Sequence, residues 1–170
     1  MSFPEFTSLS PELVVQIFRS VEPAWPHEGC GFVFQLAPDA GWTVLPTQNR
    51  AQMLHEKNPE RYPFGGGDWF EPDMKPWFRA VREGGIPRMI FHSHPEVGAY
   101  FSDGDVDSAV FRDDDGHLQE RHVGVLHMVV SVRQGRADDA ALFAFSPSEQ
   151  RFVELARFDA DGRRRPAADR

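Results

Sequence analysis

The chain has 170 residues, the length of one domain. Its 18 Lys and Arg against 26 Asp and Glu leave a net charge of −8, which excludes a broad nucleic-acid surface, since phosphate binding rests on basic patches. Cys30 is the single cysteine, so no intrachain disulfide and no cysteine-built zinc cluster is available; with no run near the roughly 20 apolar residues of a membrane span and no signal peptide visible in Met1–Ser10, the composition describes a soluble, cytoplasmic protein.

Ser10-Pro11-Glu12 followed by Leu13, Val14, Ile17 and Phe18 predicts an N-capped amphipathic helix, with proline at its first position and apolar residues at helical spacing. Gly31–Leu36 reads as a buried strand, Pro38–Gly41 as a turn and Trp42–Leu45 as the hairpin partner. From Asn49 to Gly67 the chain is polar, rich in Gly and Pro and without a period, which reads as one long loop. Asp73–Glu83 carries Met74, Trp77, Phe78 and Val81 at helical spacing before the Gly84-Gly85 stop. Arg88–His92 reads as a strand ended by Pro95, and Ser102–Phe111 as a short capped helix. Three further strands are expected at His127–Val132, Ala140–Phe145 and Phe152–Phe158. Nothing apolar follows Asp159, so residues 159–170, including Arg163, Arg164 and Arg165, read as a frayed, solvated tail behind a single domain of residues 1–158. The order αββαβαβββ gives the class α+β, a mixed β-sheet flanked by helices.

The densest chemistry lies in His92-Ser93-His94-Pro95 and Ser102-Asp103-Gly104-Asp105. Side chains two apart on a strand point the same way, so His92 and His94 can converge on one metal ion, and Asp105 can join them from the next helix. Two imidazoles and a carboxylate suit zinc and leave a fourth position open, as in catalytic sites. Taken alone, Ser102-x-x-Asp105 is a helix-capping pattern; capping and a role in the site are compatible. Glu28, beside Gly29 just before the first strand, is either a solvated acid or the proton acceptor such a site needs. Cys30, between two glycines, reads as a small buried thiol rather than a nucleophile.

Glu28 followed far downstream by His92-Ser93-His94, seven residues, Ser102, two residues and Asp105 resembles the JAMM (MPN-plus) zinc metalloprotease family in its bacterial form. The likeness runs over roughly Leu13–Phe158, with Asn49 after the second strand also similar to bacterial members. It implies an MPN, cytidine-deaminase-like architecture with one Zn2+ per chain held by His92, His94 and Asp105. Glu28 would activate water and later protonate the departing amine, and Ser102 would hydrogen-bond the developing oxyanion. It also implies a ubiquitin-like or sulfur-carrier protein as substrate, cleaved after its C-terminal Gly-Gly and held as an added strand. The Asn49–Gly67 segment and Glu96–Phe101 are the expected walls of that site.

Other zinc classes fail on the residues. His27-Glu28 and His55-Glu56 lack the second histidine of His-Glu-x-x-His, with Gly31 and Pro59 in its place. A zinc deaminase needs two cysteines. His117, His122 and His127 are five apart, off a common helix face, and read as solvated or structural. Two alternatives stay open: an MPN-type scaffold that binds proteins without catalysis, and a zinc hydrolase of small amides.

Overall fold

A computed structural model describes residues 9–165; residues 1–8 and 166–170, which hold most of the Met1–Ser10 stretch and the end of the expected tail, lie outside it. Helix α1 (Pro11–Val21) starts where Ser10 Oγ accepts the Leu13 N–H at 3.3 Å, and it buries Leu13, Val14, Ile17, Phe18 and Val21. Strands β1 (Cys30–Gln35) and β2 (Trp42–Thr47) form the expected hairpin. Helices α2 (Ala51–Lys57) and α3 (Lys75–Arg82) follow, then β3 (Ile86–Pro95) and α4 (Asp103–Ala109). A small ribbon of β4 (Val110–Arg112) and β5 (Leu118–Glu120) precedes β6 (Leu126–Arg133), β7 (Arg136–Ser146) and β8 (Arg151–Asp159).

Six strands form one mixed sheet in the order β2-β1-β3-β6-β7-β8, antiparallel throughout except for the parallel β3–β6 pair. A parallel pair needs a long crossover, here α4 and the ribbon. Strand alternation divides the core. Met89 and Phe91 of β3, with Met128 and Val130 of β6, meet α1 on one face, where each fully buried large side chain contributes about 1.5–3 kcal/mol. Ile90 turns to the other face and packs with Phe32, Phe34 and the α3 residue Trp77, which meets both phenylalanine rings edge-on at 5.2 and 5.1 Å.

Three expectations need correction. The Asn49–Gly67 segment is no continuous loop, because Ala51–Lys57 is helical; Asn49 Oδ1 accepts the Ala51 N–H at 2.9 Å and ties down the first turn. The helix begun at Ser102 stops at Ala109, and Val110–Arg112 joins the ribbon. The tail does not fray at once. Asp159 Oδ1 accepts the N–H groups of Asp161 and Arg163, the turn passes through Gly162 at φ +74°, and Arg165 reaches Asp139 at 3.3 Å. Polar bonds order that return, and Gly162 is buried closely against Pro11, Val14 and Val15 of α1.

Candidate metal centre

Alternation along β3 places His92 and His94 on the face of Ile90, at the strand's C-terminal end. Both are buried, as is Asp105 on the first turn of α4. Their Nε2 atoms lie 3.2 Å apart, with His92 Nε2 3.1 Å from Asp105 Oδ1 and His94 Nε2 3.5 Å from Asp105 Oδ2. The three residues offer ligand atoms all within 4.8 Å of one another. Burial pushes the Asp105 carboxyl up, but His92, with hydrogen bonds from His94 and Ser102, outweighs this and holds it well below the usual range. Burial also lowers His92, against the opposing pull of Asp105, and a metal takes imidazole in its neutral form. Two imidazoles and one ionised carboxylate, converging and buried, fit a zinc ion.

Metal-bound histidines usually donate their second ring nitrogen to a partner that fixes the ring. Here both Nδ1 atoms are buried without a partner among the described residues. Aromatic packing holds the rings instead: Phe70 stacks on His92 at 4.3 Å and 12°, and Tyr100 meets His94 edge-on at 5.0 Å.

Ser102 performs the capping expected of it. Its Oγ accepts the Asp105 N–H at 3.1 Å, and its own N–H donates to Asp105 Oδ2 at 2.8 Å. The hydroxyl also donates to Asp105 Oδ2 at 2.7 Å, so its proton points at the carboxylate.

Glu28 is no solvated acid; it is 6% exposed and lines the same cleft. Burial first, then Asp105 and Asp68, push its carboxyl up to about 9. Its backbone is clamped from both sides. The Glu28 N–H donates to Gly66 O at 2.6 Å, and Asn49 Nδ2 donates to Glu28 O at 2.9 Å. Next to it, the Gly29 N–H donates to Ser93 Oγ at 2.8 Å, which joins this loop to the strand of the histidines. The cleft measures about 270 Å³, and Gly67, Asp68, Trp69, Val97 and Tyr100 also line it.

Sequence reasoning did not single out Asp68, Trp69 and Phe70, nor the full role of Asn49. Asn49 uses all its amide groups: Nδ2 also donates to Trp69 O at 3.0 Å, and Oδ1 accepts the N–H groups of Ala51 and Glu71. Two large aromatics in an otherwise polar, glycine-rich stretch were the available signal. Cys30 is buried, and burial, Glu28 and Glu71 push its thiol up to about 12, so it is no nucleophile. His127 is buried between Phe101 and Phe152, His122 lies against Trp77, and His117 is exposed beside Asp113; none joins the ligand group.

The model of the prokaryotic homologs of the JAB domain matches residues 10–143. The chain belongs to this family. This JAB-domain chain is also similar to two solution structures. A protein from Salinibacter ruber shares 25% identity over 86% of each chain with a TM-score of 0.53. A protein from Desulfitobacterium hafniense shares 17% identity over 82% of this chain and 83% of that one, with a TM-score of 0.54, a likeness of fold. No curated protein matches. The expected α+β, MPN-like architecture holds for this JAB-domain chain, and His92, His94 and Asp105 stand together in it as a possible metal-binding group. No helix among the described residues is long and apolar enough to cross a membrane.

Proposed function

We propose that this JAB-domain chain is a cytoplasmic zinc metallopeptidase that hydrolyses the peptide or isopeptide bond after the C-terminal Gly-Gly of a ubiquitin-like or sulfur-carrier protein. One observation carries the reading: the buried His92, His94 and Asp105 group shares a cleft with the buried carboxyl of Glu28. His92 and His94 through Nε2, and Asp105 through its carboxylate, would hold the zinc. A bound zinc ion polarises a carbonyl and makes water acidic near neutral pH. The charge of a bound zinc ion would offset the burial that keeps Glu28 protonated in the metal-free protein, and the ionised carboxylate would take a proton from the attacking water and deliver it to the nitrogen of the departing amine as the C–N bond breaks. Asn49 and Gly66 fix the backbone from which that carboxylate acts. Ser102 turns its hydroxyl from Asp105 to the substrate's carbonyl oxygen, a contact whose loss costs about 3–4 kcal/mol.

Gly67, Trp69, Val97 and Tyr100 line the cleft, where a substrate segment without side chains would bring its backbone nearest the ligand group. Purified protein is expected to carry about one zinc per chain and to lose it in His94→Ala. A β-grasp protein extended beyond Gly-Gly should be cleaved directly after it, and a Gly-Val version far more slowly. Zinc that survives His92→Ala plus His94→Ala would sink the ligand assignment. A zinc-loaded protein inert on every such fusion would point to the scaffold reading, and equal rates on both fusions to a hydrolase of small amides.

A further inference from the structure

A second cavity of about 210 Å³ lies on the far side of Trp69. Ala51 and Leu54 of α2 line it with Tyr62, Pro63, Phe64 and Trp69, while Arg61 and Glu71 stand at its edge. Trp69 is the wall it shares with the metal cleft. That wall is held firmly. Asn49 binds the Trp69 carbonyl at 3.0 Å, and the indole lies so close to Gly104 of α4 that a Cβ there would come within 2.8 Å of the ring.

Building on the proposed peptidase reading, we propose that this cavity is a specificity pocket, with Trp69 as its partition, for an aliphatic or aromatic side chain of the substrate close to the scissile bond. Three observations favour that occupant. The lining is mostly apolar, and Phe64 is 56% exposed, a cost that an entering side chain would relieve. The charged groups Arg61 and Glu71 are both exposed, and among the described residues no buried polar side chain lines the cavity. A small polar ligand would need one for orientation. The cavity also shares Trp69 with the cleft, so the two are separated by one side chain, and an extended peptide advances about 3.3 Å per residue, which keeps a side chain near the bond within reach. The cleft then selects against side chains at the bond, and the pocket selects for one beside it.

The test uses internally quenched peptides with a central Gly-Gly and Leu, Ala or Lys placed one to three residues away on either side. At one position, Leu is expected to exceed Ala in kcat/KM by at least about tenfold, the scale of filling an apolar pocket, with Lys no better than Ala. In Phe64→Ala and in Leu54→Ala the Leu-to-Ala ratio should fall towards one. A flat profile at every position, or a preference unchanged in both variants, overturns the pocket while leaving the peptidase reading intact. If no peptide is cleaved, the peptidase reading is decided by the β-grasp fusions, and the pocket is judged by binding. A Leu peptide that shifts the Trp69 indole N–H resonance, where its Ala counterpart does not, supports the pocket, and the absence of that shift overturns it.

Discussion

At the scale of single residues, Glu28 and Phe70 do work that sequence spacing cannot express. Glu28 is ionised in the unfolded chain above about 4.5 but stays protonated in the folded, metal-free protein up to about 9. The unfolded state therefore binds fewer protons across that window, and the folded state loses stability as pH rises through it. Glu28→Gln should make the metal-free protein more stable at pH 7 than at pH 4.5, relative to the parent chain, by a few kcal/mol. Denaturant unfolding at both pH values checks this. The same variant should keep its zinc and lose about 10²–10⁴-fold in turnover. If it loses the metal, Glu28 is a ligand and not a proton carrier. Phe70 replaces a missing hydrogen bond as the device that orients His92. Phe70→Leu keeps the bulk but removes the stacked face, and zinc affinity in chelator competition should fall about 10–100-fold, as for other ligand-supporting groups.

At the scale of elements, Asn49 joins the end of β2, the start of α2 and the Trp69–Glu71 stretch through one amide. Asn49→Asp would turn its two donors into an acceptor facing the carbonyls of Glu28 and Trp69. Turnover should drop by roughly the loss of a few kcal/mol of charged, buried mismatch, with zinc content unchanged, as parallel kinetics and metal analysis would show. Helix α1, the β1–β2 hairpin and β3 were legible in the sequence because their apolar periods are strong and their ends carry Ser10, Pro38–Gly41 and Pro95. Helix α2 was not. It has seven residues, only Ala51 fully buried, and it depends on a side chain outside its own span. The candidate ligand group was legible because His92, His94 and Asp105 lie close in sequence, with α4 marked by its cap. Phe70 and the bonding of Asn49 were not, since they act across gaps of about twenty residues that only the folded chain closes.

At the scale of the whole molecule, the second face of the sheet carries titratable groups inside an apolar setting. Burial holds His127 down at about 3, with His92 and His122 acting in the same direction and Asp105 opposing them. The unfolded chain takes up this proton near 6.5, so the contribution is complete above that pH and is lost as pH falls towards 3. His127→Phe, which can pack with Phe101 and Phe152, should unfold at a higher denaturant concentration than the parent at pH 4.5 and show a smaller difference at pH 7. The placement of the site within the chain has a kinetic consequence as well. His92, His94 and Asp105 fall within fourteen consecutive positions, whereas Glu28 reaches them only when β1 pairs with β3 and the Gly29–Ser93 bond closes a gap of 64 residues. Short loops close early and distant strands late. On the proposed reading, a refolding chain would bring its three candidate ligands together before its sheet is complete, and the proton carrier would be the last part of the site to arrive.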